Sequence, residues 1–128
     1  MIYVDTSVVL AHLLAEDRSP PASFWQGNLI SSRLIEYEVW VRLHARKLTS
    51  SHGELARELI GRVALVELAP VVLARALEPF AMAVRTLDAL HLASIVFLQA
   101  RGQSVELATY DQRMLAAARM LDVEPAAL

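Results

Sequence analysis

The sequence predicts a three-layer α/β/α sandwich built on a central, mainly parallel sheet of four to five strands. Three observations predict it. Short β-favouring runs alternate with helical patterns, the strand candidates are too apolar to face water on either side, and 128 residues suit a single domain spanning 1–128. A chain that is 55% hydrophobic and 20% charged, with a mean hydropathy of +0.40, is too apolar for a disordered segment.

Ile2-Tyr3-Val4 is the first strand candidate, and Asp5-Thr6-Ser7 after it are three residues that can each cap a helix over Val8–Leu14. Ser19-Pro20-Pro21 breaks that helix, Ala22–Gln26 forms a short one, and Gly27-Asn28 is a turn. Leu29-Ile30-Ser31 is the second strand, and Ser32 opens a long amphipathic helix from about Arg33 to Lys47. Ser50-Ser51 with Glu54 matches a capping box before a helix from about His52 to Arg62, and Val63–Leu68 is the third strand. Pro70 suits a first helical position, with the helix running to Leu77 before Pro79 stops it. Thr86 is the expected cap of an apolar helix from Leu87 to about Ala100, ended by Gly102. Val105–Thr109 is the fourth strand, Asp111 caps a helix reaching Leu121, and Val123-Glu124 forms a short edge strand.

Against this frame four acids stand out: Asp5, Glu38, Asp88 and Asp111, each set beside an apolar element. Ligands of parallel α/β sheets bind beyond the carboxyl ends of the strands, where Asp5 and Asp111 lie. Each acid also has a structural explanation. Asp5 and Asp111 suit helix caps, Asp88 suits the positive end of its helix, and Glu38 suits an ion pair with Arg42. The last is weaker, because Glu38 is expected to share its side of the helix with Leu34 and Val41, as Asp88 does with Leu92 and Ile95.

If the four converge, they need a cation. Two carboxylates about 5 Å apart repel by roughly 3 kcal/mol at an effective dielectric near 20. Magnesium or manganese suits an oxygen-only donor set, and the absence of cysteine excludes thiolate zinc sites, disulfides and cysteine nucleophiles. Such ions lower the pKa of bound water and stabilise in-line displacement at phosphorus, so hydrolysis of a nucleic-acid backbone is the expected chemistry. Thr6, Ser7 and Thr109 are placed to orient acids or water, with capping as their structural alternative. Arg42, Arg46, Lys47, Arg85 and Arg113 are candidates for phosphate contact.

Several classes are set aside. The net charge of -2 does not mark a broadly basic nucleic-acid binder, so a polyanion would be held locally by arginines and metal. No phosphate-cradling glycine loop and no nucleophile elbow is present. A phosphohydrolase using Asp5 as nucleophile wants a second Asp where the chain has Ser7. A non-catalytic binding domain that keeps its acids for folding stays open. His91, alone on an apolar helix, reads as a packed core histidine rather than a ligand. No apolar run reaches the roughly 18 residues of a bilayer span, and Asp5 interrupts any signal-peptide core, so a cytoplasmic location is expected.

The ordered acids also resemble a known family. Ile2-Tyr3-Val4-Asp5-Thr6-Ser7, Ser31 to Glu38, Arg85-Thr86-Leu87-Asp88-Ala89-Leu90-His91-Leu92-Ala93 and Thr109-Tyr110-Asp111 with Arg113 together resemble the PIN domain, within it the VapC-type ribonuclease toxins of toxin-antitoxin pairs. Glu38 is in register for the family's glutamate; Glu36 points about 200° away around the helix. The resemblance implies a PIN-like fold and a magnesium- or manganese-dependent endoribonuclease with Asp5, Glu38, Asp88 and Asp111 as catalytic metal ligands. It also implies an RNA substrate, a homodimer and inhibition by a cognate VapB-type antitoxin. The large apolar share, including Phe24, Trp25, Trp40 and Phe80, suggests either a dimer or antitoxin surface, or simply a filled core.

Overall fold

The computed structural model describes residues 1–128. Strand β1 (Ile2–Val4) leads into helix α1 (Thr6–Leu13), and a 3-10 turn (Ala22–Gln26) precedes β2 (Leu29–Ser32). Helices α2 (Leu34–Ala45) and α3 (Thr49–Gly61) follow, then β3 (Ala64–Val66), α4 (Pro70–Ala76) and α5 (Thr86–Ala100). The chain finishes with β4 (Glu106–Ala108), α6 (Gln112–Arg119) and β5 (Glu124–Pro125). The strands form one sheet in the order β3-β2-β1-β4-β5, and every pairing is parallel. The sheet is thus wholly rather than mainly parallel.

Alternation along β1 builds both halves of the core. Val4 joins a cluster with Val9 of α1, Ile35 and Leu43 of α2, and Leu59 of α3. Its neighbour Tyr3 points to the opposite face, into a cluster with Val72 of α4, Leu92 and Ile95 of α5, and Met114 of α6. Both residues are fully buried, which is why β1 carries no polar face. Helices α1 to α3 cover one face and α4 to α6 the other, as right-handed crossovers running outward from β1 in two directions require.

Several boundaries differ from the sequence reading for local reasons. The Ser50/Ser51–Glu54 capping box does not form: α3 begins earlier, at Thr49 behind Leu48, with no side-chain cap, and the Ser51 hydroxyl donates to the Leu48 carbonyl. Thr86 is the first residue of α5 rather than its cap, a position taken by Arg85. Asp111 caps α6 as expected, accepting from the Arg113 and Met114 amides. Asp5 occupies the cap position of α1, yet its carboxylate makes no capping bond.

The aromatic residues fill the core more than they build a surface. Phe24 and Trp25 are buried, while Trp40 and Phe80 pack partly buried against the two clusters. The exposed apolar area is mostly non-aromatic, with Leu77 at 88%, Val41 at 66% and Val71 at 60% exposure, and Tyr37 is the exposed aromatic at 62%. Val41 therefore does not make Glu38's side of α2 apolar; the buried Leu34 and Ile35, four and three residues before it, do. No helix is long and apolar enough to cross a membrane.

Candidate active site

Crossovers leave β1 and β4 in opposite directions, which opens a crevice beyond the carboxyl ends of these two adjacent strands. A cleft of about 490 Å³ lies there, and Asp5, Glu38, Asp88 and Asp111 all line it. Four elements deliver them. Asp5 follows β1, Asp111 opens α6, Glu38 comes from the second turn of α2 and Asp88 from the first turn of α5. A larger concavity of about 750 Å³ lies between α4 and α5, but its lining of Leu73, Leu77, Phe80, Met82 and Leu90 offers little chemistry.

Asp5 is fixed by two hydroxyls. Ser7 Oγ and Thr109 Oγ1 each donate to Asp5 Oδ2 at 2.7 Å. These oxygens in turn accept backbone amides, Ser7 from Tyr110 at 3.1 Å and Thr109 from Asp111 at 2.9 Å. The turn after β4 is thereby tied to the start of α1. Ser7 and Thr109 are two of the three hydroxyls singled out in the sequence, and both bond Asp5 here. Both bonds fall on Oδ2, so Oδ1 makes no hydrogen bond within the protein.

Glu38 is held in the same one-sided way. Thr6 Oγ1 donates to its Oε1 at 2.8 Å, and His91 Nε2 lies 2.5 Å from that same oxygen. No ion pair forms with Arg42, the structural alternative for this residue. Glu36 turns away and pairs with Arg33, which also holds Glu67 and keeps that carboxyl below the usual range.

Asp88 and Asp111 share a cation. Arg85 lies 3.3 Å from Asp88 Oδ2 through Nε and 3.3 Å from Asp111 Oδ2 through a terminal nitrogen. Burial pushes the Asp88 carboxyl up from its ordinary value; Arg85 opposes the shift, and the charges of Asp5 and Asp111 add to it. Three acids therefore feel one another across the cleft. Asp111 is bonded on both oxygens, since Oδ1 caps α6, whereas Asp88 Oδ1 makes no hydrogen bond within the protein.

Arg42 and Arg85 line the cleft, and Arg113 lies beside it in a smaller recess with Arg85 and Asp88. Arg46 and Lys47 are exposed and line neither. Two residues in the neighbourhood are additions. Glu16 brings a fifth carboxylate to the cleft from the polar turn after α1, where nothing in the sequence distinguishes it from Asp17. His91 is a core histidine as expected, 1% exposed, but its ring reaches Glu38; the signal was its place one helical turn after Asp88.

The donor set fits a hard divalent ion in kind: carboxylates and hydroxyls, no thiolate, and three acids with an oxygen free of protein partners. As they stand, no three acidic or histidine side chains are close enough together to hold an ion. Arg85 supplies the positive charge between Asp88 and Asp111, and His91 draws Glu38 to the wall of the cleft.

Fold and cleft together define a doubly wound parallel α/β domain with an acidic site at its switch point. A family model described as PIN domain matches residues 2–120, and the chain belongs to that family. PIN domains are generally a nuclease fold and typically metal-dependent, so membership of the family supports a hydrolase. No curated protein and no solved structure gives a significant match to the chain.

Proposed function

We propose that this chain, as one domain over 1–128, is a cytoplasmic metal-dependent endoribonuclease of the VapC toxin type. Asp5, Glu38, Asp88 and Asp111 are its metal ligands, and RNA is its substrate. The observation that supports this most is that acids from four separate elements line one cleft at the switch point. A magnesium or manganese ion, when bound, would activate water and stabilise charge at the scissile phosphate. The chain's own groups do the rest. Ser7 and Thr109 hold Asp5, Thr6 holds Glu38, and Arg42, Arg85 and Arg113, in or beside the cleft, are the candidates for contact with backbone phosphates.

A cognate VapB-type antitoxin and a homodimer belong to the same reading. The exposed aliphatic groove between α4 and α5 is the surface that favours such partners. The test is cleavage of RNA by the purified chain with manganese. Activity should fall to background in Asp5→Asn, in Asp88→Asn and in excess chelator; activity equal to wild type in both variants sinks the mechanism.

A non-catalytic binding domain is the second reading. It is favoured by the way the acids are already satisfied, Asp88 and Asp111 by Arg85 and Glu38 by His91. Calorimetry separates the two, since the second reading expects no manganese binding at millimolar concentration.

A further inference from the structure

The fold buries a chain of polar groups that ends on Glu38. Tyr3 Oη lies 2.8 Å from His91 Nδ1, and His91 Nε2 lies 2.5 Å from Glu38 Oε1. Tyr3 is fully buried and His91 is 1% exposed, at the heart of the cluster beneath α5. The two rings meet edge to face at 84° with centroids 5.8 Å apart. Two polar rings in an apolar core are costly unless each polar atom has a partner. Here every one does, and the last partner is a cleft carboxylate.

One arrangement of protons, with Glu38 a carboxylate and His91 a neutral ring, fits these contacts. An ionised Glu38 accepts only, so Nε2 must carry a hydrogen toward Oε1. A neutral ring then presents a bare Nδ1, which accepts from the Tyr3 hydroxyl. One tautomer therefore satisfies the whole chain from β1 through α5 to α2.

We infer that His91, itself held by Tyr3, is a positioning residue for the site. It anchors Glu38 through Oε1 from below, while Thr6 anchors the same oxygen from α1, and this leaves Oε2 as the oxygen offered to the cleft. His91 does not touch the reacting atoms; it sets the rotamer of a group that does. The inference rests on the proposed role of Glu38 in metal binding.

Two measurements on the whole chain test it. In the metal-free protein, long-range proton–nitrogen NMR should report His91 as the Nε2–H tautomer, with the Nδ1 shift moving in Tyr3→Phe. Calorimetry with manganese should show affinity falling about 10-fold in His91→Leu and partly restored in His91→Gln, whose amide can still donate to Glu38. Circular dichroism identifies variants that fold, and Tyr3→Phe serves if His91→Leu does not. An Nδ1–H tautomer, or a folded His91→Leu with wild-type affinity, overturns the positioning role. A wild-type chain that binds no manganese, yet shows the expected tautomer, sinks the metal reading instead and upholds the His91–Glu38 bond.

Discussion

Thr109 Oγ1 donates to Asp5 Oδ2 at 2.7 Å across the ends of two adjacent parallel strands, joining residues far apart in sequence at the floor of the cleft. The bond is buried, and Thr109 also accepts the Asp111 amide, so one hydroxyl sets two of the four acids. Thr109→Val keeps the shape and removes both contacts. It should cost about 1 to 3 kcal/mol of stability and lower metal affinity about 10-fold, read by urea denaturation and manganese calorimetry. Ser7→Ala, which leaves Thr109 in place, should have the smaller effect; the reverse order would remove Thr109 from this role.

Arg85 bridges Asp88 and Asp111 while 65% exposed. Exposed pairs of this kind contribute at most about 1 kcal/mol, so Arg85→Ala should barely change the stability of the metal-free chain. Manganese affinity should rise several-fold at low salt, because the ion no longer competes with a guanidinium. The gain should shrink as salt increases. Unchanged affinity at low salt would show that Arg85 does not occupy the ion's place.

Asp88 carries a pH dependence of definite sign. Its carboxyl is raised from an ordinary value of 3.8, first by burial and then by Asp5 and Asp111, against the pull of Arg85. The folded chain therefore binds this proton more tightly than the unfolded chain, and stability falls as pH rises from that value through the raised pKa. Asp88→Asn should melt higher than wild type at neutral pH without metal. The advantage should vanish on acidification below the ordinary aspartate range, and a constant difference across pH would refute the assignment.

Leu77 is 88% exposed on the rim of the groove between α4 and α5. Leu77→Asp should leave monomer stability within about 0.5 kcal/mol. Sedimentation velocity should show weaker self-association if the groove is the dimer face. If the wild-type chain dimerises, an equal dimer fraction in the variant would take the groove out of the interface.

Much of this was legible residue by residue. Proline at the start of α4, an aspartate capping α6 and apolar runs for the strands all reflect local backbone preferences, and they appeared where expected. Local signals failed where tertiary packing competed with them. The Ser50/Ser51–Glu54 pattern lost to an earlier start at Thr49, and Thr86 entered the helix it was expected to cap. At the site, Asp5 looked like a cap by position, but two hydroxyls, Ser7 at the start of α1 and Thr109 just after β4, took its carboxylate instead. Glu16 was invisible because a polar turn gives no pattern to read.

The sequence by itself determined the layered α/β class, the parallel sheet and the four acids worth watching, because these follow from hydrophobic period, length and residue type. Only the tertiary structure decided how those acids are held. Which oxygen of Asp5 or Glu38 is bonded, that Arg85 stands between Asp88 and Asp111, and that Tyr3 and His91 reach Glu38 through the core all depend on distances of about 3 Å between remote segments. Period and spacing along the chain place a residue on a face. They do not carry the crossing of elements that brings two faces together.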